Sequence, residues 1–330
     1  MSKRCLITGI CGFIGHHVSE HILLNTDWQI VGVDKLSYAS NGFDRLRDGR
    51  TYGSKRVKLF SADFTHPLPS GLIKEIGEID YIVHLGAETH VDNSISNPEE
   101  FVMTNVVGTM HMLNYAKTLQ NLKLFVYFST DEVFGPAPEG VFYKEWDRYN
   151  SSNPYSATKA GGEELCLAYA NTYKLPIVIT HTMNAFGERQ HPEKFIPLVI
   201  NKIIKQELIT IHSNPAKTKA GSRFYIHCRN IASALLFIIE KFDGQTEKFN
   251  IVGEKEVDNL DMVKLIATIL DKPYQYELQD CHSSRPGHDL RYSLDGSKMR
   301  GLGWKIPKTF EQSLEKTINW YLTNLKWLEW

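Results

Sequence analysis

The chain has 330 residues, 42% hydrophobic and 23% charged, with 37 Lys and Arg set against 38 Asp and Glu for a net charge of −1. This is the composition of a globular protein of one large or two coupled domains. The evenly mixed charge excludes the basic stripe of a nucleic-acid binder, no apolar run approaches the ~18 residues of a membrane span, and the opening Met1-Ser-Lys-Arg4 is unlike a signal peptide. A cytosolic protein with neither a nucleic-acid nor a membrane partner is expected. Its five cysteines are odd in number and nowhere spaced as C-x-x-C, so they read as reduced thiols rather than a disulfide framework or zinc site.

In chain order, Cys5 to Thr8 is a short apolar run predicted as a first buried strand. It leads into Gly9-Ile-Cys-Gly12-Phe13-Ile14-Gly15 and then a helix. Three glycines between a strand and a helix start allow a backbone to approach a pyrophosphate and a helix N-terminus to face it. Alone, such a triplet often marks only a tight turn. A second strand, Gln29 to Val33, ends at Asp34, placed to accept hydrogen bonds from a ribose diol and to repel a 2′-phosphate. Both features favour NAD over NADP, with Lys35 working against the second. The plainer reading of Asp34 is a strand-end turn residue. After a third strand, Val57 to Phe60, Asp63 is a candidate for the adenine amino group or, again, a turn residue.

Strands are predicted next at Tyr81 to Leu85, Leu124 to Phe128 and Ile177 to Thr180, alternating with helices at Pro98 to Leu119 and Pro154 to Tyr173. Strand and helix in alternation give an α/β fold, a Rossmann-type doubly wound parallel sheet. Past Gly187 the rhythm becomes irregular, with a polar stretch at Ser213 to Ser222 and helices at Asn230 to Lys241, Asp261 to Leu270 and Phe310 to Leu325. We expect a smaller, interleaved C-terminal α/β substrate lobe. Residues 1–186 form the NAD-binding domain with 224–252 packing back onto it, and 187–223 and 253–330 form the second lobe. Ser213 to Gly221 reads as a mobile loop.

The fifth apolar run ends in Ser129-Thr130-Asp131-Glu132, and Tyr155 and Lys159 follow downstream. Residues four apart share one helix face. A phenol is a weak base until positive charge favours its anion, which Lys159 is placed to supply, while Thr130 binds the same reacting hydroxyl. Such a Tyr-x-x-x-Lys also occurs by chance on solvated helices; here Asn153-Pro154 opens the helix correctly. Asp131 and Glu132 add an acid and a base beyond the needs of a simple dehydrogenase, unless they are merely an acidic loop.

Segments along nearly the whole chain, among them Asp34-Lys-Leu-Ser-Tyr-Ala39, His84-Leu-Gly-Ala-Glu-Thr-His-Val-Asp92, Ser129-Thr-Asp-Glu-Val-Phe-Gly135, Asn153-Pro-Tyr-Ser-Ala-Thr-Lys159 and Ser284-Arg-Pro-Gly-His-Asp289, resemble the extended short-chain dehydrogenase/reductase family. Within it they resemble the nucleoside-diphosphate-glucose 4,6-dehydratases acting on dTDP-glucose or UDP-glucose. The resemblance implies oxidation at C4 of the hexose, elimination of water across C5 and C6, and return of hydride to C6. It implies NAD held by Gly9, Gly12, Phe13, Ile14, Gly15, Asp34, Lys35, Ser37, Asp63, Phe64, Leu85, Gly86, Ala87, Thr89, Thr104, Ser129, Tyr155 and Lys159. Catalysis falls to Thr130, Asp131, Glu132, Tyr155 and Lys159, and the substrate to Thr89, Thr130, Asn184, Lys194, Arg223, Asn259, Arg285 and His288. It also implies a homodimer built from the two long helices, with Phe101, Met110, Leu113, Leu165 and Tyr169 as contact or core residues.

Departures cluster around the expected sugar and phosphate pocket: Arg223 to Asn230 lacks the family's usual acids, and Asn93, Ala185 and Phe186 replace its usual residues. Two other readings compete. A nucleotide-sugar 4-epimerase uses the same Tyr and Lys but has no need of Asp131 and Glu132; a catalytically silent sugar-nucleotide sensor has no need of an activated phenol. His84, His90, His181 and His227 show no ligand spacing, so no metal is expected.

Overall fold

The computed structural model describes residues 2–280 and 290–329. Six strands, β1 (Arg4–Thr8), β2 (Gln29–Asp34), β3 (Val57–Ser61), β4 (Tyr81–His84), β5 (Leu124–Thr130) and β6 (Ile177–Thr182), are followed by the short β7 (Ala185–Phe186), β8 (Leu208–Ser213), β9 (Ser222–Phe224) and β10 (Ile226–His227). Then come β11 (Glu247–Ile251), β12 (Glu256–Asp258) and β13 (Gln275–Asp280). The central sheet has seven strands in the order β11-β6-β5-β4-β1-β2-β3, every pair parallel. This is the Rossmann-type doubly wound sheet.

The apolar runs are continuous because helices cover both faces of the sheet. Alternate residues still divide between two cores: Cys5, Ile7, Val83, Val126 and Val178 pack on one side, and Leu6, Ile82, Phe125, Ile177 and Ile179 on the other. Helices Phe13–Asn25 and Cys228–Lys241 close the first side, while Thr109–Ala116 and Pro154–Tyr173 close the second. A separate core joins helices Phe195–Lys205, Asn259–Leu270 and Phe310–Thr323 with β8 and β13.

The helix expected over Pro98 to Leu119 is interrupted. It runs α-helical over Pro98–Val102, opens into a π-helical turn over Met103–Gly108 and resumes over Thr109–Ala116. The bulge packs closely against its surroundings. A Cβ at Gly108 would come within 2.7 Å of the Phe64 ring, and the Asn105 amide turns inward to donate to the Glu88 carbonyl (3.0 Å) and Thr158 Oγ1 (3.0 Å). Such turns recur at functional sites. The stretch expected as a mobile loop is a turn closed by Asn214, whose Oδ1 accepts the amides of Thr218 (2.8 Å) and Lys219 (3.1 Å).

The sheet's strand order reverses between β1 and β4. Ligands of open α/β sheets bind beyond the carboxyl ends of the strands at such a point, and the glycine turn after β1 lies there.

Candidate active site

One continuous cavity crosses the carboxyl ends of β1, β2, β4, β5 and β6. At its floor, Gly9 has φ +68°, a conformation that side chains resist, and a Cβ there would meet Gly86 Cα at 2.8 Å. A Cβ at Gly15 would strike the Gly9 carbonyl oxygen. Gly12 is the N-cap of helix Phe13–Asn25 and offers no side-chain cap, so the helix N-terminus keeps its amides for a ligand. Phe13, Ile14, Ser37, Phe64, Leu85, Ala87, Thr89 and Thr104 also line the cavity. Asp34 is buried beside it, its carboxylate accepting the amides of Cys11 (2.9 Å) and Leu36 (2.8 Å). The buried hydroxyls of Thr104 and Thr182 face this cavity without a protein partner.

The redox and acid-base residues gather at the other end. Thr130 ends β5 and caps the short turn Asp131–Phe134, accepting the Glu132 amide at 3.3 Å. Its hydroxyl donates to Asp131 Oδ1 at 3.1 Å and is also hydrogen-bonded to the Tyr155 phenol. Asp131 is 4% exposed. Burial, and then the neighbouring charge of Glu132, push its carboxyl up to about 7. Glu132 Oε2 accepts instead from Asn153 Nδ2 at 3.2 Å.

Tyr155 and Lys159 are presented by helix Pro154–Tyr173, which starts firmly: Asn153 and Ser156 form a reciprocal capping box and Pro154 occupies the first turn. The Tyr155 amide donates to Ser94 Oγ at 3.1 Å, and its ring packs edge-on to Phe101. The expected lowering of the phenol by Lys159 is not what governs it here. Burial and then the charge of Glu132 hold the phenol well above its usual value. The Lys159 ammonium donates to the Phe128 carbonyl at 2.7 Å and lies 4.3 Å from the Tyr127 ring centre. Burial pulls Lys159 down to about 8, against the opposing charge of Glu163.

Ser129, Lys35, Asn184 and Lys194 line the same cavity as these residues. Three expected residues do not. Asp63 accepts the Thr65 amide at 2.8 Å and closes the turn after β3, the plainer alternative open to it. Arg223 donates to the carbonyls of Ser222 and Leu290, both at 2.7 Å, and stacks on Tyr292; it reaches Asp131 only through its charge. Asn259 begins a helix and accepts the Tyr225 hydroxyl at 2.7 Å. Arg285 and His288 lie outside the described residues.

The four histidines have separate duties. His84 sits between Thr8 Oγ1 (2.7 Å) and Thr109 Oγ1 (3.2 Å), His90 caps a helix, and His181 and His227 pair with Glu163 and Glu188. Among the described residues no group of three His, Cys, Asp or Glu side chains is arranged to hold a metal.

Two features escaped the sequence reading. Lys35 pairs with Glu88 at 2.6 Å on the cavity wall. Behind the wall, Glu163 is fully buried and accepts from Ser129 Oγ, from the Tyr149 hydroxyl and from His181 Nε2 (3.0 Å), with Lys248 Nζ at 3.5 Å. Glu163 lies one helical turn beyond Lys159, the only hint the sequence held of its place.

Residues 6–317 match the family described as GDP-mannose 4,6 dehydratase. A dTDP-glucose 4,6-dehydratase of Escherichia coli is 38% identical over 352 residues, covering 98% of this chain and 95% of that protein. The crystal structure of DesIV, a dTDP-glucose 4,6-dehydratase from Streptomyces venezuelae with NAD and TYD bound, is similar with a TM-score of 0.88 at 31% identity, covering 99% of each chain. A UDP-glucuronic acid 4-epimerase from Bacillus cereus reaches a TM-score of 0.87 over 98% of this chain and 99% of that one, but at 24% identity it speaks for the fold alone.

Proposed function

The chain belongs to the GDP-mannose 4,6 dehydratase family of extended short-chain dehydrogenases/reductases, and from that premise we propose the course of its reaction and the residues that carry it. The protein is an NAD-dependent hydro-lyase that converts an NDP-glucose, the dTDP or UDP sugar, to the NDP-4-keto-6-deoxy sugar. The observation that carries the reading is the placement of Asp131 and Glu132 in one cavity with Thr130, Tyr155 and Lys159. A 4-epimerase would use the last three and have no work for the first two.

The glycine turn, the uncapped helix N-terminus, Asp34 and the free hydroxyl of Thr104 fit a dinucleotide. When bound, NAD would supply reversible hydride transfer, from C4 of the sugar and back at C6, without being consumed. Tyr155 takes the proton of the C4 hydroxyl as the phenolate, with Thr130 orienting that hydroxyl and the positive charges of Lys159 and of the oxidised nicotinamide favouring the anion against the burial and Glu132 charge that oppose it. A ketone at C4 acidifies the hydrogen at C5, which Glu132 removes, and a proton returns to C5 as hydride adds at C6. Asp131, held protonated by its burial near neutral pH, gives its proton to the departing C6 hydroxyl. Asn184, just beyond β6, and Lys194, from the second lobe, approach the substrate. Arg223, outside the cavity wall, acts on Asp131 through its charge.

The lobes divide as 1–186 with 224–252, and 187–223 with 253–330. The protein works as a cytosolic homodimer. Phe101 and Leu113 are core residues, and Val102, Met103 and Tyr173 stand exposed on the two helices available for pairing. No helix among the described residues is long and apolar enough to cross a membrane.

Incubation with dTDP-glucose, UDP-glucose and UDP-N-acetylglucosamine, followed by mass spectrometry without added NADH, tests the function. Loss of one water, abolished in Glu132→Gln, is expected. Isomerisation without mass change would replace this reading by the epimerase.

A further inference from the structure

The acid that closes β2 is not alone in meeting the ribose end of the cavity. Asp34 has each carboxylate oxygen on a backbone amide, and the next residue, Lys35, is the kind of cation an NADP 2′-phosphate would seek. That ammonium is already engaged, 2.6 Å from Glu88 Oε1 and 3.7 Å from Glu100 Oε1. Glu88 comes from the segment after β4 and Glu100 from helix Pro98–Val102, 53 and 65 residues away in the sequence, so two independent parts of the fold converge on one lysine.

Glu88 is also held in place. Its amide donates to Asn105 Oδ1 at 2.9 Å and its carbonyl accepts from Asn105 Nδ2 at 3.0 Å. Asn105 is in turn anchored on Thr158. This two-bond clamp is built by the π-helical turn, and it fixes the backbone that aims the carboxylate at Lys35. Burial pulls Lys35 down, but the bond to Glu88 and the charges of Glu88, Glu100 and Asp63 outweigh it and keep the ammonium above its usual value. Arg45, another cation lining the cavity, directs Nε and Nη1 at the carbonyls of Arg189, Cys11, Ala39 and Ser40.

We propose that Glu88, seconded by Glu100, is a cofactor-specificity residue: by occupying Lys35 it denies a 2′-phosphate its counter-ion and adds negative charge where that phosphate would sit. The inference rests on the NAD reading and extends it from Asp34 to a pair that the glycine turn and strand end do not disclose. A phosphate ester carrying nearly two negative charges would have to displace Glu88 and remain beside its uncompensated carboxylate, whereas a ribose diol asks nothing of Lys35.

The test is calorimetric titration of the purified chain, freed of nucleotide, with NAD and with NADP. Wild type is expected to prefer NAD. Glu88→Gln should narrow the NAD to NADP affinity ratio by roughly tenfold, mainly by tightening NADP, as removal of one nearby unit charge predicts. Adding Lys35→Met should take away most of that gain, because most of it needs the freed ammonium. Glu100→Gln, at the longer and more exposed contact, should give a smaller change in the same direction. An unchanged ratio in Glu88→Gln, or a gain that survives Lys35→Met undiminished, would overturn the proposal. Wild type that binds neither nucleotide would instead bring down the NAD reading beneath it, and the same titration separates the two failures.

Discussion

Asp131 and Glu132 are consecutive residues with opposite surroundings: the first is buried against the Thr130 hydroxyl at 3.1 Å, the second accepts from Asn153 at 3.2 Å. One carboxyl is thereby favoured as an acid and its neighbour as a base, a separation of roles that elimination requires.

If Glu132 removes the C5 proton, Glu132→Gln should leave oxidation at C4 possible and stop the sequence there. Turnover should fall by roughly 10²- to 10⁴-fold, while exchange of the C5 hydrogen with deuterated water is lost. Nuclear magnetic resonance of recovered substrate reads that exchange; its persistence would assign the base elsewhere.

Burial and the charge of Glu132 raise Asp131 in the folded protein to about 7 from an ordinary 3.8. A carboxyl whose folded pKa is raised favours folding when protonated, so it opposes stability progressively as pH climbs from about 4 to about 7, by at most about 4 kcal/mol once ionised. Asp131→Asn should therefore raise Tm at pH 8 with little gain at pH 4, although the variant loses its general acid. Thermal unfolding at the two pH values checks the sign; an equal shift at both would dissociate the effect from ionisation. The same group predicts that wild-type kcat declines as pH rises through about 7.

Glu163 joins Ser129, Tyr149, His181 and Lys248 behind the catalytic strand. Glu163→Ala leaves buried donors and Lys248 without their acceptor and should cost about 3–5 kcal/mol. Glu163→Ala combined with Lys248→Met should recover part of that loss, because it removes the stranded cation. Denaturant unfolding of the single and double variants measures the difference, and no recovery would show that the charge pair is not what the hub stabilises.

Tyr155→Phe removes the phenolic oxygen and keeps the ring against Phe101. Turnover should drop by about 10²-fold or more, with NAD affinity changed less than threefold by calorimetry. Undiminished turnover would move the alcohol's proton to another acceptor.

Much of this fold is legible in the sequence. Period and run length disclosed the parallel sheet because its strands are buried on both faces, and local spacing alone put Tyr155 and Lys159 on one helix face. What was illegible depended on long-range placement. Asp63 and Asn259 have residue types equally suited to ligand or turn, and spacing alone disclosed neither the bond to the Thr65 amide nor the one to the Tyr225 hydroxyl. The Lys35 to Glu88 pair spans two strand-helix units. The π-helical turn leaves the apolar pattern of its helix almost intact, so nothing in periodicity announced it.

The seventh strand of the sheet, β11, pairs with β6 from Val178 to Thr182 although more than sixty residues separate the strands. A ribosome that has released residues 1–186 has therefore released a sheet whose β6 edge, buried along its full length in the finished protein, still exposes unpaired amides and carbonyls. That edge is capped only after the intervening segment has emerged and β11 has arrived. Truncation before residue 247 should accordingly yield aggregating protein rather than a smaller cofactor-binding module, and the chain resists division into exchangeable parts.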